Sequence, residues 1–217
     1  MPLAIDWLGT VPYGRALELQ KQAVEECRSG RCGDRLLLLE HPPVVTLGRR
    51  ARAENLRVPE SELQRRGIEL QQVSRGGDVT YHGPGQLVGY PIVDLGRRGE
   101  RDVLAWLRRI EGCLIEALAA LGLSAMRVEG RTGVFVAGAR PPRKIASIGV
   151  GLRGWVTWHG FALNVTLDPA AFDVIVPCGL HDVEMTNLAR ETGRSPDRTL
   201  FGEARERVGD VFRRELA

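Results

Sequence analysis

The segment RGGDVTYHGPGQLVGYPIVDL, residues 75–95, contains two strand patterns, VTYH and QLVGYPIV, that are separated by glycines. Upstream of it, IELQQV and VVTL also have strand patterns. The run RLLLLE, which ends at Glu40, is continuously apolar, as is typical of a strand buried on both faces. The strands follow one another without the helix between each pair that builds a doubly wound sheet. We therefore predict an α/β (α+β) fold with a mixed, mainly antiparallel sheet flanked by helices.

Four stretches predict those helices. Apolar residues at helical spacing indicate a first helix from about Tyr13 to Arg28, and PESELQRRG predicts a brief helix that Gly67 ends. A third helix begins after Asp102, a good N-cap residue, and ends near Gly122, and a closing helix covers residues 201–216. Further strands are predicted at residues 126–128, 133–136, 145–152 and 155–165. Because the chain of 217 residues contains no repeat and no low-complexity linker, we predict a single domain over residues 1–217.

Composition narrows the class of protein. The four cysteines are irregularly spaced and form no CxxC pair, which predicts reduced thiols, a cytoplasmic location and no metal site. No apolar run approaches the length that spans a bilayer, so we expect no membrane association. The 30 basic residues are interleaved with 27 acidic ones and form no basic stripe, which argues against nucleic acid. With a net charge of +3, an acidic protein partner fits better.

Lys144 is one of only two lysines in a chain that otherwise carries its positive charge on arginine. It begins the apolar, glycine-rich run KIASIGVGL, where a solvated charge has little reason to lie. Lysine can release its proton when it is desolvated, whereas arginine keeps its proton at any physiological pH. An acid/base role for Lys144 is therefore one interpretation, and a structural ion pair is the other.

Cys178 is the cysteine whose position is typical of a nucleophile, because it follows an apolar run and precedes a glycine in the sequence Pro-Cys-Gly. A structural role remains the alternative for the thiol taken alone. If the Lys144 ammonium lies about 4 Å from this thiol, their interaction is worth up to about 4 kcal/mol, or roughly 3 pKa units. Such a thiol would be mostly thiolate at neutral pH.

The motifs EHPPVVTLGRR, RGGDVTYHGPGQLVGYPIVDL, KIASIGVGL, HGFALNV and PCGL, in this order, closely resemble those of the octanoyltransferases of lipoate biosynthesis. The resemblance covers roughly residues 36–188 and implies the fold shared by biotin and lipoate ligases. It also implies transfer of an octanoyl group from octanoyl-acyl carrier protein to a lysine of a lipoyl domain, without ATP or another cofactor. The implied acceptors are the lipoyl domains of 2-oxoacid dehydrogenase E2 subunits and the glycine cleavage H protein.

The resemblance also assigns site residues. The nucleophile of the family falls on Cys178, and the lysine that activates it and serves as acid and base falls on Lys144. The acyl-binding segments fall on Arg75, Gly76, Gly77, Asp78, Val79, Thr80, Tyr81 and His82, on Ser147, Ile148 and Gly149, and on Gly160, Phe161 and Ala162. Many of these residues are small, which would leave room for an acyl chain beside the backbone.

Three alternatives stay open. An ATP-dependent lipoate or biotin protein ligase would share the fold but would have no use for Cys178. An octanoyl amidotransferase between lipoyl-type proteins would differ only in its donor. A non-catalytic module that binds an acyl carrier would form no acyl-Cys178.

Overall fold

The computed structural model describes residues 3–180 and 182–217, and at Cys178 it describes the backbone but not the side chain. The helices are α1 (Tyr13–Arg28), α2 (Glu60–Arg65), α3 (Val103–Ala120), α4 (Leu188–Thr192) and α5 (Arg198–Glu215). The strands are β1 (Ala4–Thr10), β2 (Arg35–Glu40), β3 (Val44–Leu47), β4 (Glu69–Gln72), β5 (Val79–His82), β6 (Gln86–Ile92), β7 (Ala125–Met126), β8 (Val134–Val136), β9 (Arg143–Arg153), β10 (Val156–Asn164) and β11 (Glu184–Met185). None of the helices described combines the length and the apolar composition needed to cross a membrane.

The strands of the described residues form two sheets. The larger one has the order β1-β2-β6-β10-β9-β8-β7, with β11 beside β9, and the smaller one has the order β4-β3-β5. Three neighbouring pairs, β1–β2, β9–β11 and β3–β4, are parallel, and the others are antiparallel. The predicted mixed, mainly antiparallel α/β architecture is therefore confirmed. The second sheet and the strand β1 were not predicted.

Helices cover both faces of the larger sheet. On one face, α3 and α5 build a core with the sheet, in which Ile110 and Phe212 pack with strand residues. On the other face, α1 packs against β6 and β10. Strand β2 contributes Leu36 and Leu38 to the first core and Leu37 and Leu39 to the second. This alternation explains why RLLLLE is apolar at every inner position.

A β-bulge in β9 decides the direction of the Lys144 side chain. Val134 of β8 pairs with Ala146 and Phe135 pairs with Lys144, so Ile145 is an extra residue on β9. Ile145 and Ala146 both belong to the core beneath α3 and α5. Since side chains alternate along a strand except at a bulge, Lys144 is turned to the opposite face, the face of Phe135.

Candidate active site

Residues from both sheets line a cavity of about 780 Å³. Strands β9 and β10 form much of one wall, β5 contributes Thr80 and His82 from the smaller sheet, and Tyr13 of α1 also borders the space. The volume lies within the range of about 300–1,000 Å³ that is typical of small-molecule sites. Among the predicted site residues, the lining includes Lys144, Arg75, Gly76, Gly77, Asp78, Thr80, His82, Ser147, Ile148, Gly149, Gly160, Phe161 and Ala162.

Two residues of the predicted acyl-binding segments, Val79 and Tyr81, lie on the other face of β5. Val79 is fully buried and Tyr81 nearly so, and the Tyr81 ring packs against Phe172 with 5.7 Å between the ring centroids. Because successive side chains of a strand point to opposite faces, Thr80 and His82 face the cavity while their neighbours anchor the strand.

The glycine-rich loop at residues 75–78 bridges the two sheets. Its Gly76 N–H donates to the carbonyl of Val150 in β9 at 3.1 Å, and its Gly77 carbonyl accepts from Arg50 N–H at 3.1 Å, just beyond β3. A Cβ at Gly149 would lie 2.8 Å from the Gly76 carbonyl oxygen, so a side chain there would push the loop away. Glycine at position 149 therefore allows the loop to approach β9 closely.

Lys144 is 2% exposed and lines the cavity. Its Nζ lies 5.5 Å from the centroid of the Phe135 ring, at a distance typical of a cation–π contact. Its carbonyl accepts from Thr186 N–H at 3.0 Å, and its backbone pairs with Met185 of β11. Strand β11 begins five residues after Gly179, so the chain that leaves the Cys178 turn runs directly alongside Lys144.

Cys178 lies in a 3₁₀ turn, Pro177–Gly179. The C-terminal end of this turn reaches the cavity, because Gly179 and the following residue, Leu180, line it together with Lys144. The side chain of Cys178 lies outside the described part of the structure, so the predicted proximity of its thiol to the Lys144 ammonium stays a prediction. Gly179 has φ +66°, and a Cβ at this position would lie 2.9 Å from Oδ2 of Asp78. Both the backbone conformation and the lack of space require glycine after the cysteine.

Asp78 lines the cavity and supports this turn through hydrogen bonds. Its carboxylate accepts from the N–H of Val79 at 2.7 Å and from the side-chain amide of Asn55. The Asn55 carbonyl in turn accepts from the N–H of Val176 at 2.8 Å, one residue before the turn. Asp78 therefore joins the glycine-rich loop to the segment that precedes Cys178.

Neutral polar side chains line the part of the cavity near His82, together with the guanidinium of Arg75. Burial lowers the pKa of His82, whose Nδ1–H donates to Gln86 Oε1 at 2.8 Å. Burial, with a smaller contribution from Arg75 and Arg49, lowers the pKa of His159 to about 3. Burial also raises the pKa of Tyr13 to about 12. At neutral pH these three side chains therefore carry no charge.

Hydrogen bonds connect these polar groups with the strand beside Lys144. The side-chain amide of Gln86 donates to Asn164 Oδ1 at 2.9 Å, and the amide of Asn164 donates to the Thr186 carbonyl at 2.9 Å. Thr186 is the residue whose N–H binds the Lys144 carbonyl. The buried side chains of β6 and β10 therefore fix the position of the segment that holds Lys144.

Several lining residues were not assigned from the sequence. They include Tyr13, Tyr90, Val88, Asn55, Arg131, Thr132, Val103, Leu107 and the arginines 49, 50 and 52. A signal existed for the three arginines, because Arg49 and Arg50 end the motif EHPPVVTLGRR and Arg52 follows it, whereas Tyr13 had only the helical pattern of α1. Among residues 3–180 and 182–217, no three His, Cys, Asp or Glu side chains are grouped so that they could hold a metal ion.

Comparison with known proteins agrees with this geometry. The lipoyl protein ligase A/B catalytic domain matches residues 12–208. An octanoyltransferase of Acidobacterium capsulatum is 47% identical over 98% of this chain and 91% of the relative, and one of Geobacter sulfurreducens is 50% identical over 87% and 75%. A putative lipoate protein ligase of T. acidophilum, 18% identical, superposes with a TM-score of 0.74 over 100% of this chain and 85% of its own. The biotin protein ligase of Aquifex aeolicus, 14% identical, gives 0.51 over 97% and 72%, which confirms the biotin and lipoate ligase fold. The chain belongs to the lipoyl protein ligase A/B catalytic domain family, and within it to the octanoyltransferases.

Proposed function

We propose that this acyltransferase takes an octanoyl group from octanoyl-acyl carrier protein and transfers it to a lysine of a lipoyl domain through a thioester on Cys178. Lys144 activates the thiol and serves as acid and base. The reaction requires no ATP and no other cofactor, and it takes place in the cytoplasm as the first step of endogenous protein lipoylation.

One observation carries the proposal: Lys144 is buried and lines the same cavity as Gly179 and Leu180, which follow Cys178 directly. Burial of an ammonium costs free energy that compensating interactions must offset, so a buried lysine is uncommon. Lys144 also differs from the arginines of the cavity, Arg49 and Arg75 among them, in being able to lose its proton. The site therefore supplies a candidate acid and base beside the turn that holds the candidate nucleophile.

In the first half-reaction, the thiolate of Cys178 attacks the carbonyl carbon of the octanoyl thioester on the phosphopantetheine arm of the donor. A new bond forms between this carbon and the Cys178 sulfur, and the bond to the donor sulfur breaks. The leaving thiolate takes a proton from the Lys144 ammonium, which becomes a neutral amine. Since one thioester replaces another, this step is close to balanced in free energy.

In the second half-reaction, the amine of the acceptor lysine attacks the carbonyl carbon of octanoyl-Cys178. The carbon–sulfur bond breaks, the Cys178 thiolate leaves, and the proton of the attacking amine passes to Lys144. The products are an octanoyl amide, the thiolate and the Lys144 ammonium, so the enzyme returns to its starting state. Formation of an amide from a thioester drives the overall transfer.

The charges at the cavity support protein substrates of negative charge. Arg50 and Arg52 line the cavity and are exposed, and Arg49 and Arg131 line it as well. Such arginines favour encounter with acidic proteins. The acceptors we propose are the lipoyl domains of 2-oxoacid dehydrogenase E2 subunits and the glycine cleavage H protein. A lipoate protein ligase of Thermoplasma acidophilum with this fold was studied together with its E2 lipoyl domain, which agrees with that class of acceptor.

The test compares donors and cofactors with the purified protein. We expect transfer to a lipoyl domain from octanoyl-acyl carrier protein without ATP, and none from free octanoate with ATP. Cys178→Ala abolishes this transfer, while Cys113→Ala, which alters a buried cysteine of α3, keeps it. ATP-dependent transfer from free octanoate in Cys178→Ala would instead identify a ligase. Transfer from an octanoylated H protein but not from the acyl carrier would identify an amidotransferase.

A further inference from the structure

We propose that Glu111 of α3 is a positioning residue for Lys144 and acts on it through Gly133. The inference rests on the proposed function, because it concerns the placement of the acid and base of that reaction. Neither Glu111 nor Gly133 belongs to the residues assigned to the site above.

Glu111 is a fully buried carboxylate whose two oxygens accept hydrogen bonds from different partners. Oε1 accepts from the backbone N–H of Gly133 at 3.0 Å. Oε2 accepts from Arg108 Nη1 at 2.7 Å and from Arg127 Nε at 3.0 Å, and the side chains of these two arginines are 40% and 44% exposed. A buried carboxylate is tolerated when it is paired in this way, and each of its hydrogen bonds is stronger than a neutral one. Glu111 therefore fixes the backbone at Gly133 firmly to α3.

Gly133 transmits this position to Lys144. A Cβ on Gly133 would lie 2.7 Å from Cε and 3.2 Å from Nζ of Lys144, and 2.5 Å from the carbonyl oxygen of Ala146. The backbone of Gly133 therefore lies against the charged end of the lysine, and its φ of +121° is a conformation that glycine adopts without strain. The segment just before it, Gly130 to Thr132, lines the cavity. Any movement of Gly133 therefore shifts the backbone that lies against the Lys144 ammonium.

The bulge at Ile145 restricts Lys144 from the other side. It turns Lys144 toward Phe135 and away from the core beneath α3, and the Lys144 carbonyl is bound by Thr186. With its backbone held between β8 and β11, the lysine can respond to a shift of Gly133 mainly through the end of its side chain. Displacements of about 1 Å at reacting groups can reduce a rate by about a hundredfold.

The first variant is Gly133→Ala, with Gly138→Ala as its matched control. Gly138, which follows β8 as Gly133 precedes it, also has a positive φ of +72°, but a Cβ there meets no described atom within 4 Å. We expect Gly133→Ala to lower kcat for octanoyl transfer by about tenfold or more, with KM for the octanoyl carrier within about twofold of the unaltered protein. The pH midpoint for alkylation of Cys178 should rise, because the ammonium no longer holds its position beside the thiol. Gly138→Ala should change neither quantity.

Glu111 is tested by a conservative and a non-conservative change. Glu111→Gln keeps an oxygen for the Gly133 N–H, and the half-exposed arginines can turn to solvent, so kcat should stay within about threefold of that of the unaltered protein. Glu111→Leu removes the acceptor and should reproduce the low kcat and the raised alkylation midpoint of Gly133→Ala. Melting temperatures show that each variant is folded at the assay temperature. A fall in melting temperature of Glu111→Leu without any change in kcat or midpoint would reduce Glu111 to a structural role and overturn the proposal.

Lys144→Met separates this inference from the proposed function. If Lys144→Met transfers octanoyl groups at the full rate, the proposed acid and base is wrong and the positioning role falls with it. If Lys144→Met is inactive while Gly133→Ala behaves like Gly138→Ala, only the positioning role is overturned. If Lys144→Met and Gly133→Ala both lose kcat and raise the alkylation midpoint, the proposal is supported.

Discussion

The side chain of Lys144 lies against the ring of Phe135 and the backbone of Gly133, with 2% of its surface exposed. An arginine would supply a positive charge at the same place, and the chain uses arginine almost everywhere else. The chemical difference is that lysine can give a proton to a leaving thiolate and take one from an attacking amine. In the proposed mechanism, proton transfer and not charge alone explains the choice of residue type at this one position.

Lys144→Arg tests that explanation. We expect the variant to keep a low pH midpoint for alkylation of Cys178, since a cation remains near the thiol, but to lose octanoyl transfer by about a hundredfold or more, which is typical of a lost general acid or base. Lys144→Met should lose both properties. The measurements are the rate of alkylation against pH and the single-turnover transfer rate, with melting temperatures as the control for folding. Full transfer in Lys144→Arg would mean that only the charge mattered.

At the scale of secondary structure, the patterns that depend on local chemistry predicted the elements well. Helix α1 begins and ends at the predicted residues 13 and 28, and the carboxylate of Asp102 caps α3 by accepting from Leu104 N–H and Ala105 N–H. The closing helix begins three residues earlier than predicted, at Arg198, because Asp197 is its N-cap. That signal was present in the sequence.

The features that depend on neighbouring strands could not be predicted. Apolar periodicity shows which face of a strand is buried, but it does not show which strand lies beside it. The division of β3, β4 and β5 into a second sheet and the bulge at Ile145 are of this kind. Strand β1 was not predicted because its partly exposed sequence, AIDWLGT, lacks a regular alternation of apolar and polar residues.

The candidate site shows the same limit. The glycine-rich loop and Lys144 are unusual in composition and were assigned to the site through the resemblance to the octanoyltransferases, whereas Tyr13 and Glu111 lie in ordinary helical patterns. Tyr13 reaches the cavity only because α1 packs across β6 and β10, and Glu111 reaches Gly133 only because α3 lies over β8 and β9. The positions of Tyr13 and Glu111 therefore follow from tertiary packing, which their local sequence does not indicate.

At the scale of the whole molecule, the buried imidazole of His41 makes the free energy of unfolding depend on pH. His41 is fully buried, its Nδ1–H donates to the Val11 carbonyl at 2.7 Å, and its Nε2 accepts from the Tyr90 hydroxyl at 2.7 Å. Both bonds are satisfied by a neutral ring, and burial lowers the pKa of His41 to about 4 from its usual 6.5. Below pH 6.5 the unfolded chain therefore binds a proton that the folded chain excludes.

We expect the free energy of unfolding to decrease as the pH falls from about 6.5 to about 4, with no further decrease from His41 below that range. The shift in the pKa of His41 corresponds to about 3 kcal/mol over this window. The His41→Gln variant should be less stable at pH 7 but should lose less stability on acidification. Urea unfolding at several pH values measures both quantities. Equal losses in the variant and the unaltered protein would show that His41 does not contribute to the pH dependence.

In the proposed mechanism, the octanoyl group is bound to Cys178 between donor and acceptor. The most direct measurement is the intact mass of the protein, quenched in acid after mixing with octanoyl-acyl carrier protein. We predict an increase equal to one octanoyl group that hydroxylamine removes, that peptide mapping assigns to Cys178, and that disappears when a lipoyl domain is added and becomes octanoylated. Octanoylation of the lipoyl domain at an undiminished rate by Cys178→Ala, or an adduct on another residue, would contradict a thioester intermediate on Cys178.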